Sequence, residues 1–241
     1  MFSKKLSDSM YLIDLKPLDI ENVIASYVLH GKKVTIVETG PTVSIPNLLA
    51  GLQEIGISNE EVDYVAVSHI HIDHAGGAGT LLQRLPNAKL IVHPRGAPHL
   101  VEPEKLWTQT LQVLGKIAEL YGKIQPVPKE RILTAYDEMT IDLGNHFELK
   151  VMETLGHASH HLSFSENYSG GIFPGDAAGI YVSKYDVNVP TTPPPFNLEV
   201  TLASINRLIA LEPKQLYYTH FGSARNAVEK LKGYANQLKL W

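Results

Sequence analysis

The sequence contains no cysteine among its 241 residues. This absence excludes disulfides, thiolate nucleophiles and every zinc site built on cysteine. A metal ion bound by this protein would therefore take its ligands from histidine, aspartate or glutamate.

The sequence also lacks an excess of positive charge and any long hydrophobic run. Lys and Arg number 21 against 25 Asp and Glu, a net charge of -4, so no basic field exists to attract nucleic acid or an anionic membrane. No segment approaches the roughly 18 apolar residues of a membrane span, and the amino terminus has no apolar core of signal-peptide length. We therefore expect a soluble, cytoplasmic protein that acts on a small molecule, with no nucleic-acid and no membrane partner.

Strand and helix patterns are mixed throughout the chain, and no repeat or Gly/Ser linker divides it. This organisation predicts one domain, residues 1–241, of the α/β (α+β) class. Short β-rich runs lie at 27–29, 33–38, 64–68, 89–93, 147–153 and 215–219, and apolar residues recur at helical spacing at 45–55, 104–124, 198–209 and 228–238.

The predicted helix at 104–124 has two open interpretations. Trp107, Leu111, Leu114, Ile117 and Tyr121 recur at helical spacing. Such a face most often packs on the protein's own core. It can instead cover a pocket or form the interface of a homodimer.

Four potential metal ligands crowd into the stretch "HIHIDH", which begins directly after the predicted strand at 64–68. His69 and His71 are two residues apart, so in an extended segment both imidazoles project to one side. Asp73 and His74 follow them. Burying four such polar groups together is costly without a metal ion, and the spacing therefore predicts a metal site.

One stretch of chain cannot surround an ion, so further ligands must come from elsewhere in the sequence. Candidates lie next to a glycine or at the end of a predicted strand. They are His157 in "TLGHASHH", Asp176 in "FPGDAAG" and His220 in "YYTHFG".

Together these motifs resemble the metallo-β-lactamase superfamily of hydrolases, in its glyoxalase II-like and lactonase-like branch. The match consists of H-x-H-x-D-H at 69–74, Gly156-His157, Gly175-Asp176 and His220. Glu38-Thr39-Gly40 is similar to the family's early D-x-G turn, with Glu in place of Asp. The loop "TTPPPF" at 191–196 resembles a subgroup with an "ATPPP" loop, and its prolines either stiffen a pocket wall or merely join two elements.

The resemblance implies a four-layer αβ/βα sandwich, with two mixed β-sheets flanked by helices and the site at the edge between the sheets. It assigns His69, His71 and His157 to a first metal ion and Asp73, His74 and His220 to a second, with Asp176 bridging both. The long interval between His74 and His157 implies a helical insertion at about 95–135.

Two divalent ions that share one water make hydroxide available near neutral pH. The resemblance therefore implies a metal-dependent hydrolase that cleaves an ester, thioester or lactone, with Asp73 as the catalytic residue that transfers a proton to the leaving group. Zinc suits this thiolate-free set of N and O ligands best, and iron or manganese also fit. The alternatives are a non-catalytic metal-binding or interaction protein of the same fold and a mononuclear-iron sulfur dioxygenase.

Three further positions near the predicted ligands are Tyr181, His161 and His160. Lactonases of this family carry a tyrosine three residues after the bridging aspartate, whereas this chain has Gly179 there and Tyr181 two residues later. His161, four residues after His157, is expected to orient a ligand by a hydrogen bond. The sequence predicts no role for His160.

Overall fold

Fifteen strands and eight α-helices build the protein over residues 1–194 and 196–240, the part described by a computed structural model. The strands are β1 (Ser3–Ser7), β2 (Met10–Asp14), β3 (Ala25–His30), β4 (Val34–Val37), β5 (Val62–Ala66), β6 (Lys89–Val92), β7 (Ile132–Thr134), β8 (Thr140–Gly144), β9 (Phe147–Glu153), β10 (Leu162–Glu166), β11 (Gly171–Phe173), β12 (Ile180–Val182), β13 (Val187–Val189), β14 (Gln215–Tyr218) and β15 (Gly222–Arg225). The helices are α1 (Ile45–Glu54), α2 (Ile72–Ala75), α3 (Ala78–Leu82), α4 (Ala97–Val101), α5 (Glu104–Leu114), α6 (Lys116–Tyr121), α7 (Leu198–Ala210) and α8 (Ala227–Leu240).

Two large mixed sheets carry the fold. The first has seven strands in chain order, β1 to β7, antiparallel as far as β4 and parallel from β4 to β7. The second has six strands in the order β15-β14-β11-β10-β9-β8, with one parallel pair, β11 and β14. Strands β12 and β13 form a separate hairpin.

Three large apolar clusters show how the layers are stacked. One packs α1 and α3 against the outer face of the first sheet, one fills the space between the two sheets, and one packs α7 and α8 against the second sheet. Successive residues of a strand point to opposite faces of the sheet, so alternate side chains belong to different clusters. The predicted four-layer αβ/βα sandwich is confirmed.

Helix α1 shows how local sequence builds one of these layers. Pro46 lies in its first turn, where a missing amide hydrogen costs nothing, and Leu48 and Leu52 are buried one turn apart. Gly51 packs so closely on Ile13 of β2 that a Cβ would lie 2.5 Å from the isoleucine side chain. Helix α1 therefore packs directly against β2 of the first sheet.

The predicted helix at 104–124 is wrong in one respect, because Gly115 divides it. Gly115 has a φ of 52°, a conformation that glycine adopts at little cost, and α5 ends before it while α6 begins after it. Helix α5 has no fully buried residue, whereas Ala118 of α6 packs with Ile72 and Ile124 in a small fourth cluster. Helices α4, α5 and α6 all lie within the interval 95–135.

No helix in residues 1–194 and 196–240 combines the length and the hydropathy that crossing a membrane requires.

Candidate metal centre

The structure brings all seven predicted ligands together at the ends of strands from both sheets. His69, His71, Asp73 and His74 follow β5, His157 lies between β9 and β10, Asp176 lies in the short 3₁₀ turn after β11, and His220 follows β14. Strands β4, β5 and β6 are parallel, as are β11 and β14. Their carboxyl ends therefore meet at one edge of the sandwich, where loops present the side chains.

The stretch from His69 to His74 changes conformation in its middle. His71 is extended, with φ -61° and ψ 153°, and it forms the N-cap of α2. The amide hydrogens of His74 and Ala75 bond to the His71 carbonyl. The first two histidines thus leave an extended segment, whereas Asp73 and His74 leave a helical turn and reach a second position.

The first ligand group consists of His69, His71 and His157. The Nε2 of His69 lies 2.9 Å from the Nδ1 of His71, and the Nε2 of His157 lies 3.1 Å from the same atom. One ligand atom from each residue lies within 4.8 Å of the others. Three imidazole nitrogens therefore converge at a spacing that can hold one metal ion.

The second ligand group consists of Asp73, His74 and His220. The Nε2 of His220 lies 3.2 Å from the Nε2 of His74 and 3.2 Å from the Oδ2 of Asp73. The three ligand atoms again lie within 4.8 Å of one another. Solvent reaches this second group at Asp73, whose side chain is 30% exposed.

Asp176 lies between the two groups and turns one carboxylate oxygen to each. Its Oδ2 lies 3.4 Å from the Nε2 of His157. Its Oδ1 lies 3.2 Å from the Nε2 of His74 and 3.7 Å from that of His220. Asp176 thus lies between the two groups, and the bridging role that the resemblance implies for it remains a prediction.

The Oδ1 atom of Asp176 provides a test of whether the site suits a cation. It is buried and has no partner with hydrogen-bond geometry in residues 1–194 and 196–240. A buried anionic oxygen without such a partner is costly unless a cation lies beside it. Imidazole nitrogens and carboxylate oxygens that converge on this atom are ligands of divalent metal ions, and the residues therefore fit that group.

Four histidines have an oxygen atom beside the ring nitrogen that faces away from the site. The Nδ1 atoms of His157 and His220 lie 3.1 Å and 3.4 Å from the carbonyl oxygens of Thr191 and Val23. Those of His69 and His74 lie 3.0 Å from the Ser68 hydroxyl and 3.4 Å from Glu38 Oε2. A proton on Nδ1 of His157, His220 or His69 would meet its oxygen and leave the Nε2 lone pair free for a metal ion. Glu38 Oε2 lies beside His74 without hydrogen-bond geometry.

Glu38 supports the back of the site. It is buried with a φ of 70°, accepts a hydrogen bond from the Ser68 amide at 3.1 Å and directs its other oxygen to His74. The segment Glu38-Thr39-Gly40, predicted from its resemblance to a D-x-G turn, thus contributes a carboxylate beside a ligand. The Thr39 hydroxyl bonds to the His74 carbonyl at 2.9 Å and fixes the same turn.

His161 forms a hydrogen bond to a predicted ligand, as expected from the sequence, and it does so through the backbone of that ligand. The Asp176 amide donates to its Nε2 at 3.1 Å, and its ring lies beside that of His69, with centroids 5.0 Å apart. Its Nδ1 lies 2.8 Å from the Thr154 hydroxyl, which lies 2.7 Å from the Ser163 hydroxyl, and Ser163 donates to the Pro174 carbonyl at 3.0 Å. His161 therefore fixes the turn that presents Asp176.

Charges and burial displace the pKa values of the two groups in opposite directions. Burial, reinforced by the neighbouring histidines, holds the pKa of His69 well below its usual value and lowers the pKa of His71 to about 4. Burial acts the same way on His74, but the charges of Asp176, Asp73 and Glu38 outweigh it and raise the pKa of His74 well above its usual value. Burial also opposes the proton on His220, yet the hydrogen bond to Asp73 and the charge of Asp176 raise the pKa of that ring.

Other predicted features lie at the margin of the site. Tyr181 is buried in the β12–β13 hairpin, where its hydroxyl donates to Asp186 at 2.7 Å, so it does not replace the tyrosine of the lactonases. The carbonyl of Thr191 brings the proline loop against His157, while Pro195 of that loop lies outside the described residues. The His160 ring is nearly parallel to that of His69, with centroids 6.2 Å apart.

Sequence reasoning missed several groups that support the ligands. Ser68, Thr154 and the backbone carbonyls of Val23 and Thr191 carry no motif that marks them. A serine directly before the first ligand and a threonine just before Gly156-His157 were visible in the sequence, but only the fold shows what they contact.

Comparison with known proteins identifies relatives over most of the chain. A family model described as the metallo-beta-lactamase superfamily matches residues 19–220. The metallo-beta-lactamase fold-containing protein ST1585 of Sulfurisphaera tokodaii is 28% identical over 218 residues, which make up 88% of this chain and 78% of that protein.

Solved structures agree with this match. The archaeal metallo-beta-lactamase superfamily protein ST1585 from Sulfolobus tokodaii has a TM-score of 0.82 at 27% identity, covering 96% of this chain and 86% of its own. The metallo-beta-lactamase family protein TTHA1429 from Thermus thermophilus has a TM-score of 0.77 at 22% identity, covering 98% and 81%. The second likeness shows the fold alone, and the glyoxalase II-like or lactonase-like branch remains a prediction.

Proposed function

The chain belongs to the metallo-β-lactamase superfamily, and from this premise we propose that it is a metal-dependent hydrolase that cleaves an ester, thioester or lactone of a small molecule. Two divalent ions, zinc before iron or manganese, are the cofactors that the donor set favours. His69, His71 and His157 would hold one ion, and Asp73, His74 and His220 the other, with Asp176 between them.

The two oxygens of Asp176 are the observation that carries this proposal. One faces a group of three histidines and the other faces a separate group of two histidines and an aspartate. A protein that only needed a metal ion for stability would be served by one closed site. Two adjacent groups with a shared carboxylate, one of them partly open to solvent, support hydrolysis.

Two ions held by these residues would supply a hydroxide nucleophile near neutral pH and would polarise the carbonyl of the substrate. The protein's own residues then have distinct tasks. Asp73 lies at the open edge, and although burial opposes its charge, His74 and His220 hold its pKa below the usual range. It is therefore ionised at neutral pH, ready to accept a proton from water and pass it to the departing oxygen or sulfur.

A panel of substrates tests the reaction class. Protein loaded with zinc, iron or manganese is assayed against thioesters, aryl esters, lactones and phosphodiesters, and we expect turnover of at least one carboxylic substrate that a chelator abolishes. His71→Gln removes a ligand and should abolish turnover. His30→Gln alters an exposed histidine far from the site and serves as the matched control.

The outcomes separate the proposal from its alternatives. Absence of turnover on all four classes, together with a tightly bound protein partner, would favour an interaction protein of this fold. Oxygen consumption with a persulfide substrate and one bound iron would favour the sulfur dioxygenase. Either result would overturn the hydrolase proposal.

A further inference from the structure

The predicted ligand His220 lies in the middle of a short turn between two paired strands. Strands β14 and β15 are antiparallel, and their last pair joins Tyr218 to Gly222. Thr219, His220 and Phe221 form the turn between them, with His220 at its centre. The position of the His220 ring therefore depends on how firmly the base of this turn is held.

A tyrosine of the other sheet holds that base. The Tyr27 hydroxyl of β3 lies 2.7 Å from the Tyr218 carbonyl oxygen and 2.9 Å from the Gly222 carbonyl oxygen. A phenol has one proton to donate, and both carbonyls lie within reach of it. The hydroxyl therefore bridges the two strands at the point where the turn begins and ends.

Two backbone groups near Tyr27 contact the same turn. The Ala25 amide donates to the Thr219 carbonyl at 2.8 Å, and the Val23 carbonyl lies 3.4 Å from the Nδ1 of His220. All three contacts come from residues 23–27, at and just before the start of β3. One strand of the first sheet thus supports one ligand-bearing turn of the second, and the Tyr27 hydroxyl is the contact that a substitution can remove.

The surroundings of Tyr27 make its hydroxyl costly unless it forms these contacts. Tyr27 is 1% exposed and lies in the apolar cluster between the two sheets, where its ring packs edge-on against Phe173 at a centroid distance of 5.2 Å. Phenylalanine would fill this position without a polar group to satisfy. Burial raises the pKa of Tyr27 well above its usual value, so the hydroxyl keeps its proton and donates at neutral pH.

We propose that Tyr27 is a positioning residue for His220, which orders the turn before a metal ion binds and so raises the affinity of the second ligand group. This inference rests on the proposed two-ion centre and names the residue that orders one part of it. The hydroxyl contacts the backbone on either side of His220, so its effect reaches the ion through that ligand. A turn that is already ordered loses less conformational freedom when His220 binds an ion.

Tyr27→Phe tests the inference, because it removes the hydroxyl and keeps the ring. We expect the affinity of the second ion, measured by chelator competition, to fall about 10- to 100-fold, as is typical when a metal ligand loses a supporting partner. The affinity of the first ion should stay unchanged. A general loss of packing would instead weaken both ions.

Tyr217→Phe is the matched control. Tyr217 is 4% exposed in the same apolar cluster, and its ring centroid lies 5.5 Å from that of Tyr27. Its hydroxyl lies 2.8 Å from the Ser169 hydroxyl rather than on the His220 turn. The control makes the same chemical change at a neighbouring buried ring, and we expect it to leave the affinities of both ions unchanged.

A double-variant cycle tests whether Tyr27 acts through His220. His220→Gln removes the ligand and should lower the affinity of the second ion. Adding Tyr27→Phe to it should cause no further loss, because the turn then carries no ligand to position. Additive losses would mean that Tyr27 affects the ion by another route and would overturn the inference.

Hydrogen exchange of the metal-free protein supplies a measurement that involves neither metal nor turnover. The Phe221 amide donates to the Tyr181 carbonyl at 3.3 Å, so its exchange reports whether the turn is ordered. We expect slow exchange in the wild type and in Tyr217→Phe, and exchange at least about tenfold faster in Tyr27→Phe. The wild type alone decides if Tyr27→Phe fails to fold, because fast exchange of this amide without metal would overturn the inference.

The outcomes distinguish this inference from the function on which it rests. An unchanged affinity of the second ion in Tyr27→Phe, or equal losses for both ions, would overturn the inference and leave the hydrolase. The expected loss of second-ion affinity, in a protein that hydrolyses none of the four substrate classes, would support the role of Tyr27 and overturn the hydrolase.

Discussion

The two ligand groups of the candidate metal centre share Asp176 but differ in their surroundings. The first, His69, His71 and His157, consists of histidines alone, and burial with mutual repulsion holds the pKa of His71 to about 4. In the second, carboxylates surround His74 and raise its pKa well above the usual value. At neutral pH His69 and His71 of the first group are therefore neutral imidazoles, whereas His74 of the second holds a proton that a metal ion must displace.

With two such groups, one centre can combine firm metal binding with reactivity. A group without protons to lose binds an ion with little dependence on pH. A group that must lose protons binds its ion more weakly and in a pH-dependent manner, and it also has the partly exposed Asp73 beside it. We therefore expect the first group to anchor the centre and the second to face the substrate.

Asp176→Asn is expected to have the largest effect, because it removes the negative charge that both groups share. The variant keeps the shape of the side chain, so the fold should survive. We expect at least one ion to be lost and kcat to fall by about 100-fold or more. Metal content by mass spectrometry of the purified protein and the rate on the best substrate check both effects.

The contradicting result for Asp176 is a folded variant with two ions per chain and unchanged turnover. That result would mean that the carboxylate is only part of a turn, where asparagine is readily accepted. Circular dichroism of the variant confirms that the comparison is made on folded protein.

Asp73→Asn alters the second ligand group alone. We expect kcat to fall by about 100-fold through loss of proton transfer, while the ion at the first group is retained. The ratio of metal to protein and the pH profile of kcat distinguish the two effects. A variant with normal kcat and an unchanged pH profile would remove Asp73 from proton transfer.

His161→Ala tests the support behind both groups, since His161 holds the backbone of Asp176. Partners of this kind typically contribute about 10- to 100-fold to metal affinity or activity, and we expect a loss within that range. His146→Ala, at an exposed histidine in the turn between β8 and β9, is the matched control. Metal affinity measured by chelator competition should fall in the first variant only, and equal affinities would limit His161 to packing.

The pH dependence of metal binding is the smallest expected effect. Between pH 5 and 7 the affinity of the first ion should change little, because His71 gains a proton only near pH 4. Over the same range the second ion should bind about tenfold more tightly for each unit of rising pH, because its binding displaces the proton of His74, whose pKa is raised well above the usual value. Titrations with a metal-sensitive dye at several pH values check this, and parallel curves for both ions would contradict it.

The sequence predicted much of the fold because its signals are strong where one face is buried. The runs that became β3, β4, β5, β6, β9 and β14 are short and apolar, and the helix α1 shows clear periodicity. Edge strands such as β1, whose residues are partly exposed, lack that contrast and were missed. The break at Gly115 was missed because apolar residues keep their helical spacing across it, although the helical backbone conformation is interrupted there.

The seven ligands could be predicted because metal coordination restricts both residue type and spacing. Their supports could not, because a serine hydroxyl or a backbone carbonyl becomes a partner only when the fold brings it there, as Val23 is brought to a residue 197 positions away. His161 illustrates the limit. Its spacing from His157 suggested that it orients a ligand, but only the fold shows that this ligand is Asp176, 15 positions later, and that the contact is with the backbone amide.

The hydrogen bonds around His161 close on themselves, and this has a consequence for local opening. The chain of donors runs from the Asp176 amide through His161, Thr154 and Ser163 to the Pro174 carbonyl, only two residues before its start. Because an amide can only donate and a carbonyl can only accept, every proton in this ring has one allowed direction. Loosening either end of the turn Gly175–Ala178 breaks a bond of this ring, and the Asp176 amide should therefore exchange with deuterated solvent more slowly than amides in exposed turns.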